Sequence, residues 1–158
     1  MNNSLEQRLQ PLEDAENIRN LIAHYGPLAD AGEADAVAQL WTVDGVYSVG
    51  RFAEACGQEA IAALITGGVH QQYMAAGVAH ILGPLALRID GDSAEARGHS
   101  LVVLHGAGGA YSIIRASANL WQLARSDAAG FGGWRVTRRD NHLLDGGAAA
   151  RALFADRD

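Results

Sequence analysis

The second half of the chain alternates between apolar and polar residues over several long segments. This period of two is typical of strands that bury one face. Turn signals interrupt the pattern at Asp90-Gly91-Asp92, at residues 106–109 and in the glycine-rich segment 127–133. The sequence therefore predicts four strands that follow one another as an antiparallel meander, at residues 78–89, 93–105, 111–125 and 134–144.

The first half of the chain is predicted to be mainly helical. Apolar residues recur at helical spacing from Ile18 onward, with Asp14 placed to cap the start of the helix and Gly32 to end it. Pro27 lies inside this pattern, so we expect it to kink the helix or to free the carbonyl of Ala23. Two more helical segments are predicted at 34–41 and 57–74, where Gly67-Gly68 weakens the second. A short strand at 43–49 and a closing helix at 148–154 complete the prediction.

The predicted order along the chain, helices followed by a strand meander, indicates an α+β fold. In this fold a strongly curved antiparallel sheet packs on about three N-terminal helices. Such a sheet makes a cone-shaped barrel whose open end is a natural ligand pocket. Residues 1–12 are expected to form a loose or partly helical arm. Residues 13–158 are expected to form a single domain, because their length suffices for one core.

Charge and cysteine content exclude several classes of protein. The formal net charge is −6 and the 12 basic residues are scattered, which disfavours a nucleic-acid partner. The single cysteine, Cys56, cannot form an intrachain disulfide. Residues 1–14 lack the pattern of a signal peptide, and no apolar run approaches the ~20 residues that span a bilayer. We therefore expect a cytoplasmic protein with no membrane partner.

Polar residues in the predicted strands are candidates for chemistry. His80, His99 and His105 lie in such strands, and Ser117 and Asn119 share one face of another. Imidazole titrates near neutrality, so one histidine can remove a proton while another donates one. Ser117 and Asn119 could stabilise a developing enolate.

Asp30, at the end of the first helix, could enter this cluster from the helical side, where a carboxylate would fix an imidazole tautomer. Proton transfer of this kind needs no metal and no organic cofactor, so none is expected.

Other interpretations of these residues stay open. A strand histidine is often a hydrogen-bonded structural residue, and Asp30 could be a capping or surface residue. Three histidines could bind zinc, but no HxH or HExxH spacing is present. A Ser-His-Asp nucleophile is disfavoured because the chain has no GxSxG motif and Ser117 lies in mid-strand. Tyr25 fits either the core or the pocket.

Several motifs resemble those of one known family. HILGP begins at His80, GHSLVVLH ends at His105 25 positions later, and SANLW begins at Ser117. Together with Ala29-Asp30, these segments resemble the scytalone dehydratase-like, or SnoaL-like, branch of the nuclear-transport-factor-2-like (NTF2-like) superfamily. The resemblance covers roughly residues 18–140.

The resemblance implies a role for each candidate residue. His80 and His105 would share the acid/base work of a syn elimination of water, and Asp30 would orient His105. Ser117 and Asn119 would hold the substrate. Tyr25 matches a tyrosine of the bile-acid dehydratases and would polarise a carbonyl.

Two departures from scytalone dehydratase concern the substrate. Ala29 stands where that family has a tyrosine just before the helix aspartate. The family has a second tyrosine in its first strand. The nearest candidates for that position here are Val49 and Ser48, with Tyr47 close by. A different cyclic hydroxy-ketone or another leaving group is therefore expected.

The function predicted from the resemblance is a cofactor-independent lyase, a dehydratase that acts on a cyclic or polyketide-like hydroxycarbonyl small molecule. One alternative is an isomerase, cyclase or dehydrohalogenase that uses the same site. Another is a non-catalytic binding or assembly subunit. The resemblance also implies a homo-oligomer, a dimer or a trimer.

Overall fold

The computed structural model describes residues 4–155, which form five α-helices, seven strands and one short 3₁₀ turn. The helices are α1 (Leu5–Asp30), α2 (Ala34–Ala38), α3 (Gln58–Thr66), α4 (Gly68–Ala76) and α5 (Ala148–Phe154). The strands are β1 (Trp41–Val49), β2 (Ala53–Cys56), β3 (Val78–Leu82), β4 (Ala86–Asp90), β5 (Ser93–His105), β6 (Tyr111–Arg125) and β7 (Trp134–Leu143). No helix in this described range is long and apolar enough to cross a membrane.

The strands form one sheet in the order β2-β1-β7-β6-β5-β3, with β4 also paired to β5. Neighbouring strands are antiparallel except β1 and β7, which are parallel. The sheet curves around α1 without closing, so the predicted α+β cone is confirmed. Strands β5 and β6 are the long central pair, and their predicted bounds agree with the structure.

Helix α1 begins earlier than the sequence analysis expected. Ser4 caps it in a capping box with Gln7, so the expected arm 1–12 is helical from Leu5, while residues 1–3 lie outside the described range. Asp14 is therefore not the cap. Its buried carboxylate accepts hydrogen bonds from Trp134 Nε1 (3.2 Å) and Arg125 Nη2 (2.6 Å), which tie the middle of the helix to the end of the sheet.

Glycine and proline break two segments that were predicted to be continuous. The third helical segment divides into α3 and α4 because Gly67 adopts an extended conformation (φ −65°, ψ 149°). The strand predicted at 78–89 divides into β3 and β4 at Gly83-Pro84, and both halves pair with β5. Strand β2 was not predicted, since four residues are too few for a clear alternation.

The core lies between α1 and the concave face of the sheet. Its largest members are the fully buried Trp41, Trp121 and Trp134, packed against Ile18 and Leu21 of α1. Helix α5 packs against β5, β6 and β7. It covers the convex face, where the Phe154 ring contacts His99 at a centroid distance of 4.7 Å.

Helix α1 packs unusually close to β3 at Gly26. A Cβ atom at this position would lie 2.2 Å from the carbonyl oxygen of His80. Only glycine therefore allows the helix and the strand to approach this closely. The contact lies one helical turn before Asp30, so it sets the position of the helix end relative to His80.

We expect Gly26→Ala to lower the free energy of unfolding by about 1–3 kcal/mol, because the added methyl forces helix and strand apart. The matched control is Gly68→Ala in α4, where an added Cβ meets no atom within 4 Å. The control should leave stability unchanged or raise it by up to about 1 kcal/mol. Urea denaturation measures both values, and equal stability of the two variants would contradict the close packing at Gly26.

Candidate active site

A cavity of about 670 Å³ opens between the helices and the concave face of the sheet. The helices contribute Tyr25, Ala63, Leu64, Val69, His70 and Tyr73 to its wall, and the sheet contributes Tyr47, Val49, His80, Leu82, Ser100, Val102, Ile114, Arg115, Arg139, Asn141 and Leu143. Most of this wall is apolar, with a few polar groups that converge on it. A small-molecule site has this character.

His80 and Asp30 form a hydrogen-bonded pair at the wall of this cavity. Nδ1 of His80 lies 2.6 Å from Oδ1 of Asp30, and the backbone N–H of His80 donates to both carboxylate oxygens, at 3.2 and 3.0 Å. The carboxylate only accepts, so Nδ1 carries the proton and Nε2 is left as the basic nitrogen. The pair thus has the arrangement of a general base and the group that orients it.

Burial lowers the pKa of His80 from its ordinary 6.5. The hydrogen bond and the negative charge of Asp30 oppose this shift, and the nearby His70 and Arg139 add to it. The His70 ring stacks on the His80 ring at 5.4 Å, and its Nε2 donates to the carbonyl oxygen of Ala29 at 2.8 Å. His80 is therefore neutral at pH 7 and able to accept a proton.

A tyrosine pair and an arginine form the floor of the cavity. The hydroxyls of Tyr25 and Tyr47 lie 3.5 Å apart, and the guanidinium of Arg139 lies over both rings at 4.2 and 4.6 Å and over Trp121 at 4.1 Å. Burial raises the pKa of Tyr25, and Tyr47 raises it further. Tyr25 therefore stays protonated, and its hydroxyl can donate a hydrogen bond to an oxygen atom of a ligand.

Ser117 and Asn119 lie beneath the wall and do not line the cavity. Asn119 Oδ1 accepts from Nε and Nη2 of Arg139 at 3.0 and 2.9 Å, and Ser117 Oγ accepts from Nε of Arg115 at 3.1 Å. The expected contact of both residues with substrate is thus corrected. Their side chains instead accept hydrogen bonds from the two arginines that face the cavity.

His105 lies away from the cavity, and Asp30 contacts His80 instead of it. Val102 pairs with His80 and faces inward, so alternation turns His105, three residues later, to the other face of β5. The imidazole packs against Tyr111 at 5.0 Å and against Gly77. The expected Asp30–His105 pair is therefore wrong. His99 shares this convex face, as the sequence predicted, but the face is not that of the cavity.

The structure brings to this site four residues that were not assigned to it from the sequence: His70, Tyr47, Arg115 and Arg139. Arg115 lies two residues before Ser117 in the same strand, so alternation puts both on one face, and that signal could have identified it. Arg139 has no comparable local signal, because it reaches the site through the pairing of β7 with β1 and β6.

Among residues 4–155, no group of three His, Cys, Asp or Glu side chains is placed to hold a metal ion. The zinc site considered for the three strand histidines is not assembled, since His80 lies on the concave face and His99 and His105 on the convex face.

Residues 10–140 match the family model of the SnoaL-like domain, so the chain belongs to this family of the NTF2-like superfamily. An NTF2-like protein with a cystatin-like fold from Novosphingobium aromaticivorans is 50% identical, with a TM-score of 0.91 over 98% of this chain and 99% of that one. No curated protein has a significantly similar sequence.

More distant structures share the fold. A hexachlorocyclohexane dehydrochlorinase from Novosphingobium barchaimii is 18% identical, with a TM-score of 0.73 over 87% of this chain and 90% of that one. A Mycobacterium tuberculosis protein of unknown function is 23% identical, with a TM-score of 0.71 over 94% and 86% of the two chains.

We expect the pKa of His80, measured by NMR of its ring nitrogens across a pH titration, to lie below 6.5. In Asp30→Asn it should fall further, because the charge and the hydrogen bond that favour the imidazolium are lost while burial remains. A rise of the pKa in this variant would contradict the described pair, and a wild-type value above 6.5 would contradict the dominant effect of burial.

Proposed function

We propose that this protein is a cofactor-independent lyase, a dehydratase that removes water from a cyclic or polyketide-like hydroxycarbonyl compound. The observation that carries the proposal is the His80–Asp30 pair, whose neutral imidazole lies in the wall of a largely apolar cavity. A neutral imidazole held in one tautomer is a general base suited to a carbon-bound proton next to a carbonyl.

In the proposed reaction, Nε2 of His80 removes the proton from the carbon next to the substrate carbonyl. The electron pair of the broken C–H bond moves to the carbonyl oxygen, and the resulting enolate accepts a hydrogen bond from the Tyr25 hydroxyl. The Arg139 guanidinium, over the Tyr25 and Tyr47 rings, adds positive charge near this oxygen.

The second step breaks the bond between the neighbouring carbon and its hydroxyl group. The enolate electron pair returns to form the new C=C bond, and the hydroxide takes the proton that His80 has carried, leaving as water. A single imidazole can do both transfers when proton and hydroxyl leave from the same side of the ring. The proposal therefore gives His80 the work that the resemblance divided between His80 and His105.

A second reaction of the same site is dehydrohalogenation, isomerisation or cyclisation. Each begins with the same proton abstraction, and the dehydrochlorinase that shares the fold removes hydrogen chloride, as its name states. A non-catalytic binding or assembly subunit is the remaining alternative. The neutral base, the carboxylate that orients it and the protonated tyrosine favour catalysis, since a packing surface needs none of them.

The cytoplasmic location and the homo-oligomer, a dimer or a trimer, stay predictions from the sequence. The substrate is proposed to be a small molecule, with no nucleic acid and no membrane as partner.

The first test is a panel of hydroxycyclohexanones and hydroxytetralones with the hydroxyl two carbons from the carbonyl, and their chloro analogues. Appearance of the conjugated enone is followed by ultraviolet absorbance. His80→Ala should lower kcat by about 10²–10⁴-fold, the usual contribution of a general acid–base group. Preference for the chloro analogues would favour the dehydrohalogenase.

The matched control is His105→Ala, which removes an imidazole from the convex face and should leave kcat close to the wild-type value. Equal loss in the two variants would restore the shared role of the two histidines. Unchanged turnover in His80→Ala would refute the assignment of the base.

The pH dependence of kcat/KM gives an independent test, because this ratio reports the ionisation of the free enzyme. A base must be deprotonated to act, so kcat/KM should rise with pH through a pKa below the ordinary 6.5 of histidine and then reach a plateau. A rise of kcat/KM whose midpoint lies above pH 6.5 would indicate a different base.

A further inference from the structure

Two arginines line the cavity without a carboxylate partner. Neither Arg115 nor Arg139 makes an ion pair with any Asp or Glu of the part of the chain that the structure describes. None of the residues between 4 and 155 that line the cavity is acidic. The carboxylate of Asp30 is engaged by the ring and the backbone of His80. The cavity is therefore cationic, although the whole chain carries a net charge of −6.

Arg139 supplies a charge that is almost completely buried. Its side chain belongs to a residue that is 2% exposed, and its Nε and Nη2 donate to the neutral amide oxygen of Asn119. The remaining nitrogen, Nη1, is buried and has no hydrogen-bond partner among residues 4–155. A buried charge without a counter-ion is costly, so a site that retains one favours an anion nearby.

Arg115 is the more accessible of the two arginines. Its guanidinium packs over the Phe52 ring at 5.4 Å, Nε donates to Ser117 Oγ, and Nη2 donates to Asn141 Oδ1 at 2.7 Å. Both partners are neutral. Burial lowers the pKa of Arg115, and the positive charge of Arg139 lowers it further. These contacts fix the direction of the guanidinium and leave its charge uncompensated.

We propose that Arg115 binds a carboxylate of the substrate directly, with Arg139 adding positive charge from the wall beneath. This inference rests on the proposed lyase and narrows its substrate to cyclic compounds that carry an acid group. An arginine fork already fixed by two hydrogen bonds is well suited to a carboxylate, because little of its freedom is lost on binding.

The register of the sheet places the acid group relative to the reacting carbon. His80 pairs with Val102, and Val102 pairs with Arg115, so all three lie in one row across β3, β5 and β6. The backbones of His80 and Arg115 are thus two strand spacings apart, ~10 Å. A ring-sized skeleton held between them presents its reacting C–H bond to His80 and its carboxylate to Arg115.

The test compares an acid with its uncharged counterpart. Binding of 1-naphthoate and of 1-naphthamide, which are close in size and shape, is measured by isothermal titration calorimetry at pH 7 and low salt. The wild-type protein should bind the carboxylate at least tenfold more tightly than the amide. Arg115→Gln should weaken binding of the carboxylate by ~10- to 100-fold, as expected for the loss of a charge-assisted hydrogen bond, and leave the amide unchanged.

Two further variants separate this charge from other effects. Arg115→Lys keeps the charge without the fork and should recover part of the affinity for the carboxylate. Arg88→Gln removes an equal charge from an exposed position outside the cavity and should leave the affinity for both ligands unchanged. Equal affinities for the two ligands in the wild type, or equal weakening of both by Arg115→Gln, would overturn the carboxylate subsite.

Failure of the subsite and failure of the lyase give different results. If His80-dependent elimination proceeds on neutral hydroxy-ketones and Arg115→Gln does not lower it on their carboxylated analogues, the carboxylate subsite is overturned and the lyase stands. If naphthoate binding depends on Arg115 and no elimination occurs, the subsite stands as a binding site for organic acids.

Discussion

The site depends on the contact between the last turn of α1 and strand β3. Gly26 lets the two backbones approach so closely that any side chain there would meet the carbonyl oxygen of His80. One turn later, Asp30 accepts the backbone N–H and the ring Nδ1 of the same histidine. The carboxylate thus satisfies a backbone donor of β3 and orients the imidazole with the same two oxygens. Packing and chemistry share one contact, so the imidazole is fixed by the fold before any substrate binds.

A second constraint is the layer of amides and hydroxyls in and beneath the cavity wall. Oδ1 of Asn119 accepts hydrogen bonds from Arg139 and from Nδ2 of Asn141, and Nδ2 of Asn119 donates to Ser100 Oγ. Oδ1 of Asn141 accepts a hydrogen bond from Arg115. These neutral partners hold two guanidinium groups without cancelling their charge. A carboxylate in place of either asparagine would form a buried ion pair with the neighbouring guanidinium and cancel its positive charge in the cavity. The neutrality of this layer therefore keeps the site cationic.

Local pattern predicted much of the fold and half of the site. The alternation of β5 and β6 and the helical spacing of α1 were strong enough to identify these elements, and His80, Asp30 and Tyr25 were placed at the site from their motifs. The error at His105 has a definite cause. Alternation predicts which residues share a face, as His99 and His105 do, but only the pairing of Val102 with His80 decides which face is concave. Arg139 could not be found locally, because its neighbours come from α1, β1 and β6.

The charges of the cavity and the pKa of the base support one another. Burial and the positive charge of Arg139 both disfavour the imidazolium of His80, so the imidazole is neutral in the free protein. In the reaction that we propose, the same positive charge would stabilise the enolate that forms when the proton moves to His80. The negative charge of that enolate would offset the repulsion between Arg139 and the new imidazolium, and Asp30 would stabilise the imidazolium from the other side. Such an arrangement would oppose protonation of His80 by solvent and favour its protonation by the substrate, since only the substrate would leave an anion in the cavity.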